Sequence, residues 1–329
     1  FILLQMTMIN PLLIICFAFF FSLILFCGTA SGENNMNDYQ FFKVFGGKGS
    51  EDGQLLAPHS IDIDKDGYVY VTDTGNNRIQ KYDSDGNFVL KWGEEGSNDG
   101  QFMKLHDIGV DPSGEYVYTL ELKNHRVQKF DSQGKFILKW GFEDTGGKAA
   151  ERTPHQLSID SNGYVYLTDK NSHQILKFDD SGNFIEVLGA RGGEAGQFYR
   201  PHGIVFDSND IMYITDMRNS RVQALDKDFD LVAQWGSYGN GPGQFSLTFP
   251  GIDLYEKEGL VFVVDKLSTN VQIFDQNGKF ISKFGSKGTG DGQFKRPEDI
   301  AVDPKGRIFV CDTGNSRIQI FSKTNDFTT

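Results

Sequence analysis

The stretch from Pro58 to Gly93, PHSIDIDKDGYVYVTDTGNNRIQKYDSDGNFVLKWG, returns along the chain with small edits, and this repetition constrains the fold more than any other feature. It reads as four short runs of alternating apolar and polar residues: Ser60 to Asp64, Tyr68 to Thr72, Arg78 to Tyr82 and Phe88 to Trp92. A period of two puts alternate side chains on opposite faces of an extended strand. The separators Asp66-Gly67, Thr74-Gly75-Asn76-Asn77 and Asp85-Gly86-Asn87 carry the residue types that tight turns need. One repeat is therefore a four-stranded antiparallel meander.

Each unit closes on a glycine after an aromatic residue or Leu: Phe45-Gly46, Trp92-Gly93, Trp140-Gly141, Leu188-Gly189, Trp235-Gly236 and Phe284-Gly285, a period of 47 to 49 residues. Most units then open with Gly-Gln, as at Gly53-Gln54, Gly100-Gln101, Gly196-Gln197, Gly243-Gln244 and Gly292-Gln293, while the third has Glu151-Arg152-Thr153 instead. Four strands per unit at this period predict propeller blades, each burying both faces against its neighbours. Five complete units run from Gly53 to Gly285, and the sixth supplies only three strands before the sequence ends. The run from Phe41 to Gly46 matches the missing slot, so the expected fold is an all-β, six-bladed propeller over residues 39–325, closed by its N-terminal strand. Closure removes the exposed edges that an open array would leave.

Pro11 to Cys27 is almost wholly apolar, and residues 1–30 contain no Lys, Arg, Asp or Glu. With Gly28-Thr29-Ala30 behind it, this segment reads as a secretory leader or, alternatively, an N-terminal membrane anchor through residues 11–27, followed by a linker at 31–38. Either reading predicts a propeller outside the cytoplasm, secreted or membrane-anchored. The formal charge of −12 therefore falls entirely on the remainder, and an acidic surface argues against a nucleic-acid partner. Of the three cysteines, only Cys311 belongs to the globular part, so no disulfide framework is expected. Cys311 reads as a small buried strand residue.

In a blade of this kind, the start of the first strand and the turn between the second and third strands share one face of the disc. His59, His106, His155 and His202 fall at the first position, with Phe249 or Pro250 and Glu298 in the last two blades. Asp73, Glu121, Asp169, Asp216, Asp265 and Asp312 fall at the second, and Arg78, Arg126, Gln174, Arg221, Asn270 and Arg317 stand five residues beyond them. His125 and His173 precede two of those positions. Imidazoles near carboxylates suit a zinc site, with His59, His173, His155 and His202 as candidate ligands. Repetition of a Pro-His step gives the same pattern without a metal. The Asp-Arg spacing similarly suits a loop-pinning ion pair. A ligand-binding face would also include His106, His125, Asp73, Asp169, Asp216, Arg218 and Glu298, open to a protein or a small molecule. Asp62 to Gly67, with Asp73 at the twelfth place, has calcium-loop letters, although an Asp-Gly hairpin accounts for them equally. Aromatic residues on the fourth strands read as packing between blades, and no nucleophile triad or phosphate loop stands out.

The strings PHSIDID, TDTGNNRIQKYD, RPHGIVFD, TDMRNSRVQALD and RPEDIAVD resemble NHL repeats, over nearly everything after Tyr39. That resemblance implies a six-bladed propeller and leaves activity open, because NHL propellers serve as RNA binders, protein-interaction modules, kinase sensor domains and a lyase. The third blade, PHQLSIDSNGYVYLTDKNSHQILKFD, is similar to that of the zinc-dependent peptidyl-hydroxyglycine amidating lyases. The similarity implies zinc ligands at His173 and His59. The third ligand falls on Phe249-Pro250-Gly251, which has no histidine, the lyase tyrosine falls on Met217 and Arg218, and the lyase arginine is replaced by Lys266. The expectation is a ligand- or protein-binding scaffold, with a zinc-dependent lyase or hydrolase as the alternative and RNA binding third.

Overall fold

The computed structural model describes residues 39–142, 145 and 152–324. The expected leader, anchor and linker, and Glu151 of the third repeat, lie outside the described residues. Among the described residues, six four-stranded antiparallel sheets follow the six sequence units. Blade 1 takes Ile61–Ile63, Val69–Asp73, Arg78–Tyr82 and Phe88–Trp92 from the innermost strand outward. Blades 2 to 5 repeat this order, beginning at Leu105, Pro154, Pro201 and Ile252. Blade 6 joins Pro297–Val302, Ile308–Asp312 and Arg317–Lys323 to Tyr39–Gly46, which pairs antiparallel with Arg317–Lys323 as its outermost strand. The ring is thus closed by the N-terminal strand, with Phe45 opposite Ile318 and a bulge between Phe41 and Lys43.

The alternating pattern works because both faces of each blade are covered. All five residues of Val69–Asp73 and of Arg78–Tyr82 are buried, while Phe88–Trp92 alternates between half-buried and exposed. The apolar core consequently lies between blades. Across the closure, Phe45, Leu55, Ile61 and Val71 pack with Phe309, Cys311, Ile318 and Ile320, and Cys311 is a fully buried strand residue as expected. The fourth-strand aromatics reach the hairpin of the following blade. Gly134 takes φ +81°, and a Cβ there would lie 2.6 Å from the Trp92 ring, so this turn needs glycine both for its backbone and for the indole above it. Gly182 sits under Trp140 and Gly278 under Trp235 in the same way. The Gly-Gln steps are also explained: the Gly53 N–H donates to Gln80 Oε1 at 2.9 Å, and Gly100, Gly243 and Gly292 repeat the bond to Gln128, Gln272 and Gln319.

Closure rests on a strand far away in sequence from its partner, and Phe45 is its apolar anchor, with its ring 4.7 Å from that of Tyr82. Phe45→Ala is expected to cost about 3–5 kcal/mol, read as a lowered urea midpoint, whereas Val89→Thr, 44% exposed on an outermost strand, should stay within about 0.5 kcal/mol. Equal effects of the two would mean that closure does not limit stability.

Candidate functional site

The second strand of each blade ends in a buried acidic residue that organises the turn after it. Asp73 Oδ1 accepts the Leu56 N–H at 2.6 Å, and Oδ2 accepts from Asn76 Nδ2 at 2.8 Å, Arg78 Nε at 2.7 Å and Gln80 Nε2 at 3.1 Å. Arg78 in turn donates to the Glu51 and Gln54 carbonyls. The pair recurs as Glu121 with Arg126 at 2.6 Å, Asp216 with Arg221 at 2.9 Å and Asp312 with Arg317 at 2.8 Å. Blade 3 has Gln174 in the arginine position, and Arg152 fills the gap, reaching Asp169 at 3.3 Å and Gln174 Oε1 at 3.2 Å. Blade 5 has Asn270, and Asp265 is satisfied by Ser246 and Ser268. Asp73, Asp169 and Asp216, expected on a ligand-binding face, are fully buried and committed to these loops. Nor do the calcium-loop letters converge: Asp64 accepts the Asp66 and Tyr68 N–H groups of its own hairpin, while Asp73 serves the turn. Arg78→Met should cost about 3–5 kcal/mol, because it leaves a buried charge unpaired. The Asp73→Asn/Arg78→Met double variant should recover part of that loss in urea unfolding. A double variant no more stable than the single one would show that the charge itself is not the cause.

At the channel mouth, the four Pro-His or Leu-His steps do converge. Ring centroids of His59 and His106 are 3.9 Å apart, those of His106 and His155 4.1 Å, and those of His155 and His202 3.5 Å. His106, His155 and His202 are buried and His59 half-buried. His106 Nδ1 lies 2.9 Å from the His155 carbonyl, a stitch from one blade to the next. The Nδ1 atoms of His59 and His202 are buried without a hydrogen bond of good geometry. Burial lowers the pKa of all four imidazoles, with further lowering from Lys170, so they are neutral near pH 7. Glu298 completes the ring, paired with Lys266 and with Arg296. Pro250 lines the same cavity, whose free volume of about 10 Å³ has room for about one water molecule.

His173 stands apart from this cluster. Its Nδ1 accepts the Arg200 N–H at 3.0 Å, and its ring lies 5.2 Å from that of Tyr199. It and His125 occupy the left-handed position that ends the turn, with φ of 63° and 50°, where other blades carry Asn77, Ser220 and Ser316. These two histidines are therefore turn residues. The rings of His59 and His202 already meet the backbones of His106 and Pro250, His173 is elsewhere, Pro250 stands in the fifth blade and Glu298 is held by Lys266. Among the described residues, no group of three or more His, Cys, Asp or Glu side chains is arranged to hold a metal ion. The donor set as placed does not fit a three-ligand zinc.

Below the imidazoles lies a tier of buried carboxyl groups that the repeat pattern does not announce. Asp299 Oδ2 accepts from Ser60 Oγ at 2.8 Å and from the Ile61 N–H at 3.1 Å, and Oδ1 accepts from Gln156 Nε2 at 3.2 Å. Asp107 accepts the Leu157 N–H at 2.6 Å, and Asp253 the Val302 N–H at 2.6 Å. Each joins its own blade to the next. Burial pushes Asp299 up to about 7 and raises Asp107 and Asp253 well above the carboxylate range. The folded state therefore holds a proton on Asp299 that the unfolded chain releases between about pH 4 and 7. Its contribution to stability is full at the acid end of that window and is lost as pH rises through about 7. Asp299→Asn should make urea stability fall less steeply than in the wild type across that window. The histidines, present in both proteins, cancel from the comparison. Parallel curves would show that Asp299 is ionised in the fold.

The surroundings of the mouth are basic. Lys104, Lys123, Arg218, Lys295 and Arg296 are exposed on the turns and strand starts of this face, and Lys170 and Arg200 are half-buried nearer the histidines. Exposed acids lie outside them on the connections between blades, at Glu51, Asp52, Glu94, Glu95, Asp99 and Glu194, with Lys48, Arg191 and Lys287 exposed among them and Asp52 and Asp99 paired with Lys91 and Lys139. The face is a basic centre within a mainly acidic rim, a division hidden in a net charge of −12.

A closed ring of six four-stranded blades with side-chain traffic at one channel mouth defines the class. More than half of the chain, residues 152–246 and 252–329, matches the family model described as 6-bladed beta-propeller, and residues 55–82 match the NHL repeat. The chain belongs to that six-bladed β-propeller family. Protein lin-41 of Caenorhabditis elegans is 50% identical over 48 residues, 15% of this chain and 4% of that protein. E3 ubiquitin-protein ligase TRIM71 of Gallus gallus is 46% identical over 44 residues, 13% of this chain and 5% of that protein. The matched segments are thus about a twentieth of these relatives' length. Among solved structures, a structural genomics protein from Bacteroides thetaiotaomicron superposes with a TM-score of 0.61 at 15% identity, covering 86% of this chain and 73% of that one. A streptogramin B lyase gives 0.59 at 12% identity, covering 88% and 99%. These likenesses show the fold alone.

Proposed function

We propose that this propeller is a binding module, exported or tethered to a membrane with the propeller outside the cytoplasm, whose channel-mouth face takes a small-molecule or protein ligand. One observation carries the reading. The fold satisfies its buried carboxylates at the turns blade after blade, yet at the mouth it leaves the Nε of Arg200 and the Nδ1 atoms of His59 and His202 buried without a hydrogen bond of good geometry. Buried polar groups without partners are costly unless something else meets them. A closed ring holds these groups on a stiff scaffold, so a ligand is met with little ordering cost. Export rests on the apolar segment at residues 11–27. The acidic rim argues against a long nucleic acid crossing the face.

The close approach of four imidazoles also favours a second reading, a metal-dependent lyase or hydrolase, although the donor set counts against it. Two measurements separate the readings. In a thermal-shift screen of small anions, amines and neutral compounds, a ligand at a hundred times its Kd stabilises the fold by about 2.7 kcal/mol. That gain should largely vanish in Lys104→Gln/Arg218→Gln/Arg296→Gln, three exposed positions around the mouth. Ligands that stabilise both proteins equally would move the binding site off this face. Near-stoichiometric zinc by elemental mass spectrometry of untagged protein, lost in His59→Ala/His202→Ala, would put the metalloenzyme reading in place of the binding module.

A further inference from the structure

Lys170 lies on the turn after the second strand of blade 3, half-buried, with no ion-pair or hydrogen-bond partner among the described residues. It shares a pocket wall with Lys104. Burial lowers its pKa, and Arg200, Lys104 and Lys266 lower it further, while Asp169, the carboxylate that opposes them, is already engaged by Arg152. A lysine ammonium held partly out of water among like charges is a group prepared for an anion.

Beside it, between blades 2 and 3, opens a pocket with about 550 Å³ of atom-free space, including the part open to solvent. Lys104, His125 and Lys170 supply its polar wall, and Leu122, Phe142 and Pro154 its apolar one. Its two other charged lining residues are spoken for. Glu121 is bonded to Arg126, Asn124 and Gln128. Arg152 is bonded to Asp169, Thr145 and Ser172. Among the described residues, the charge left to face a ligand is therefore positive.

Resting on the binding-module reading, we infer that this pocket takes a small organic anion, with its carboxylate or phosphate head between Lys104 and Lys170 and its apolar body against Leu122, Phe142 and Pro154. The pocket combines a few converging polar groups with an apolar wall, the usual make-up of a small-ligand site. The exposed acids Glu94 and Glu95 repel a longer polyanion while leaving a compact one free to reach the centre.

The test titrates the full chain by calorimetry at low salt with four probes sharing one ring: benzoate, phenyl phosphate, benzylamine and benzyl alcohol. Saturable binding is expected for benzoate, phenyl phosphate or both, and which of them binds separates a carboxylate site from a phosphate site. Lys170→Met should weaken it by about tenfold, and added salt should weaken it further. Lys227→Met, exposed on the hairpin between the third and outermost strands of blade 4, should leave it unchanged. Circular dichroism and thermal midpoint confirm that each variant is folded. No saturable binding of either anion, or binding indifferent to Lys170→Met, overturns the inference. Benzyl alcohol or benzylamine binding as tightly as benzoate, and weakened by Phe142→Ser, overturns the anion but leaves the mouth as a binding face.

Discussion

Each blade depends on a carboxylate buried at the end of its second strand. Placing an ionised acid there costs several kcal/mol unless it is paired and hydrogen-bonded. The sequence answers with an arginine five residues on, an asparagine between them and a backbone amide from the approaching strand. Because the same arginine also holds the carbonyls of the incoming connection, one ion pair fixes three pieces of chain at once. The arrangement tolerates a change of source. Arg152 supplies the guanidinium to blade 3 from outside the turn, and serine hydroxyls and amides serve in blade 5.

With the turns fixed in this way, the channel mouth becomes the place where the repeats differ. Neutral imidazoles from four blades meet within contact distance, tilted or edge-on, a glutamate and a proline take the other two places, and lysines or arginines surround them on several of the turns. Repetition builds the ring and departures from repetition give it character. Blade 1 offers Ala57 and Thr74 where blades 2 and 3 offer Lys104 and Lys170, so it adds no positive charge at these two positions.

Features confined to one unit were readable from the sequence. Strand alternation, Asp-Gly hairpins and the five-residue Asp-Arg spacing all act within a single turn or between adjacent strands, where chain proximity already enforces contact. The closing strand was readable because Phe41 to Gly46 copies a slot that blade 6 lacks. What the sequence hid is what ring closure brings together. Asp299 meets Ser60 and Gln156 across three blades, and no spacing connects those residues. His173 was hidden for another reason: its left-handed backbone makes it a turn residue, and a family pattern that names the position does not reveal where the imidazole goes. Arg152 carried the one available signal, an arginine standing in the third repeat where others have Gly-Gln, opposite a third strand that lacks its own arginine.

The pairing of Gly46 with Arg317 also sets an order in time. Of the propeller's strands a ribosome delivers Tyr39–Gly46 first, yet its one strand partner among the described residues, Arg317–Lys323, is among the last parts of the propeller to be made. Five blades can assemble from local hairpins while that first strand waits. The final step must then bring distant segments together against the entropy of a long loop. The propeller therefore closes with a latch, and until it shuts, two open strand edges are available to any other chain nearby.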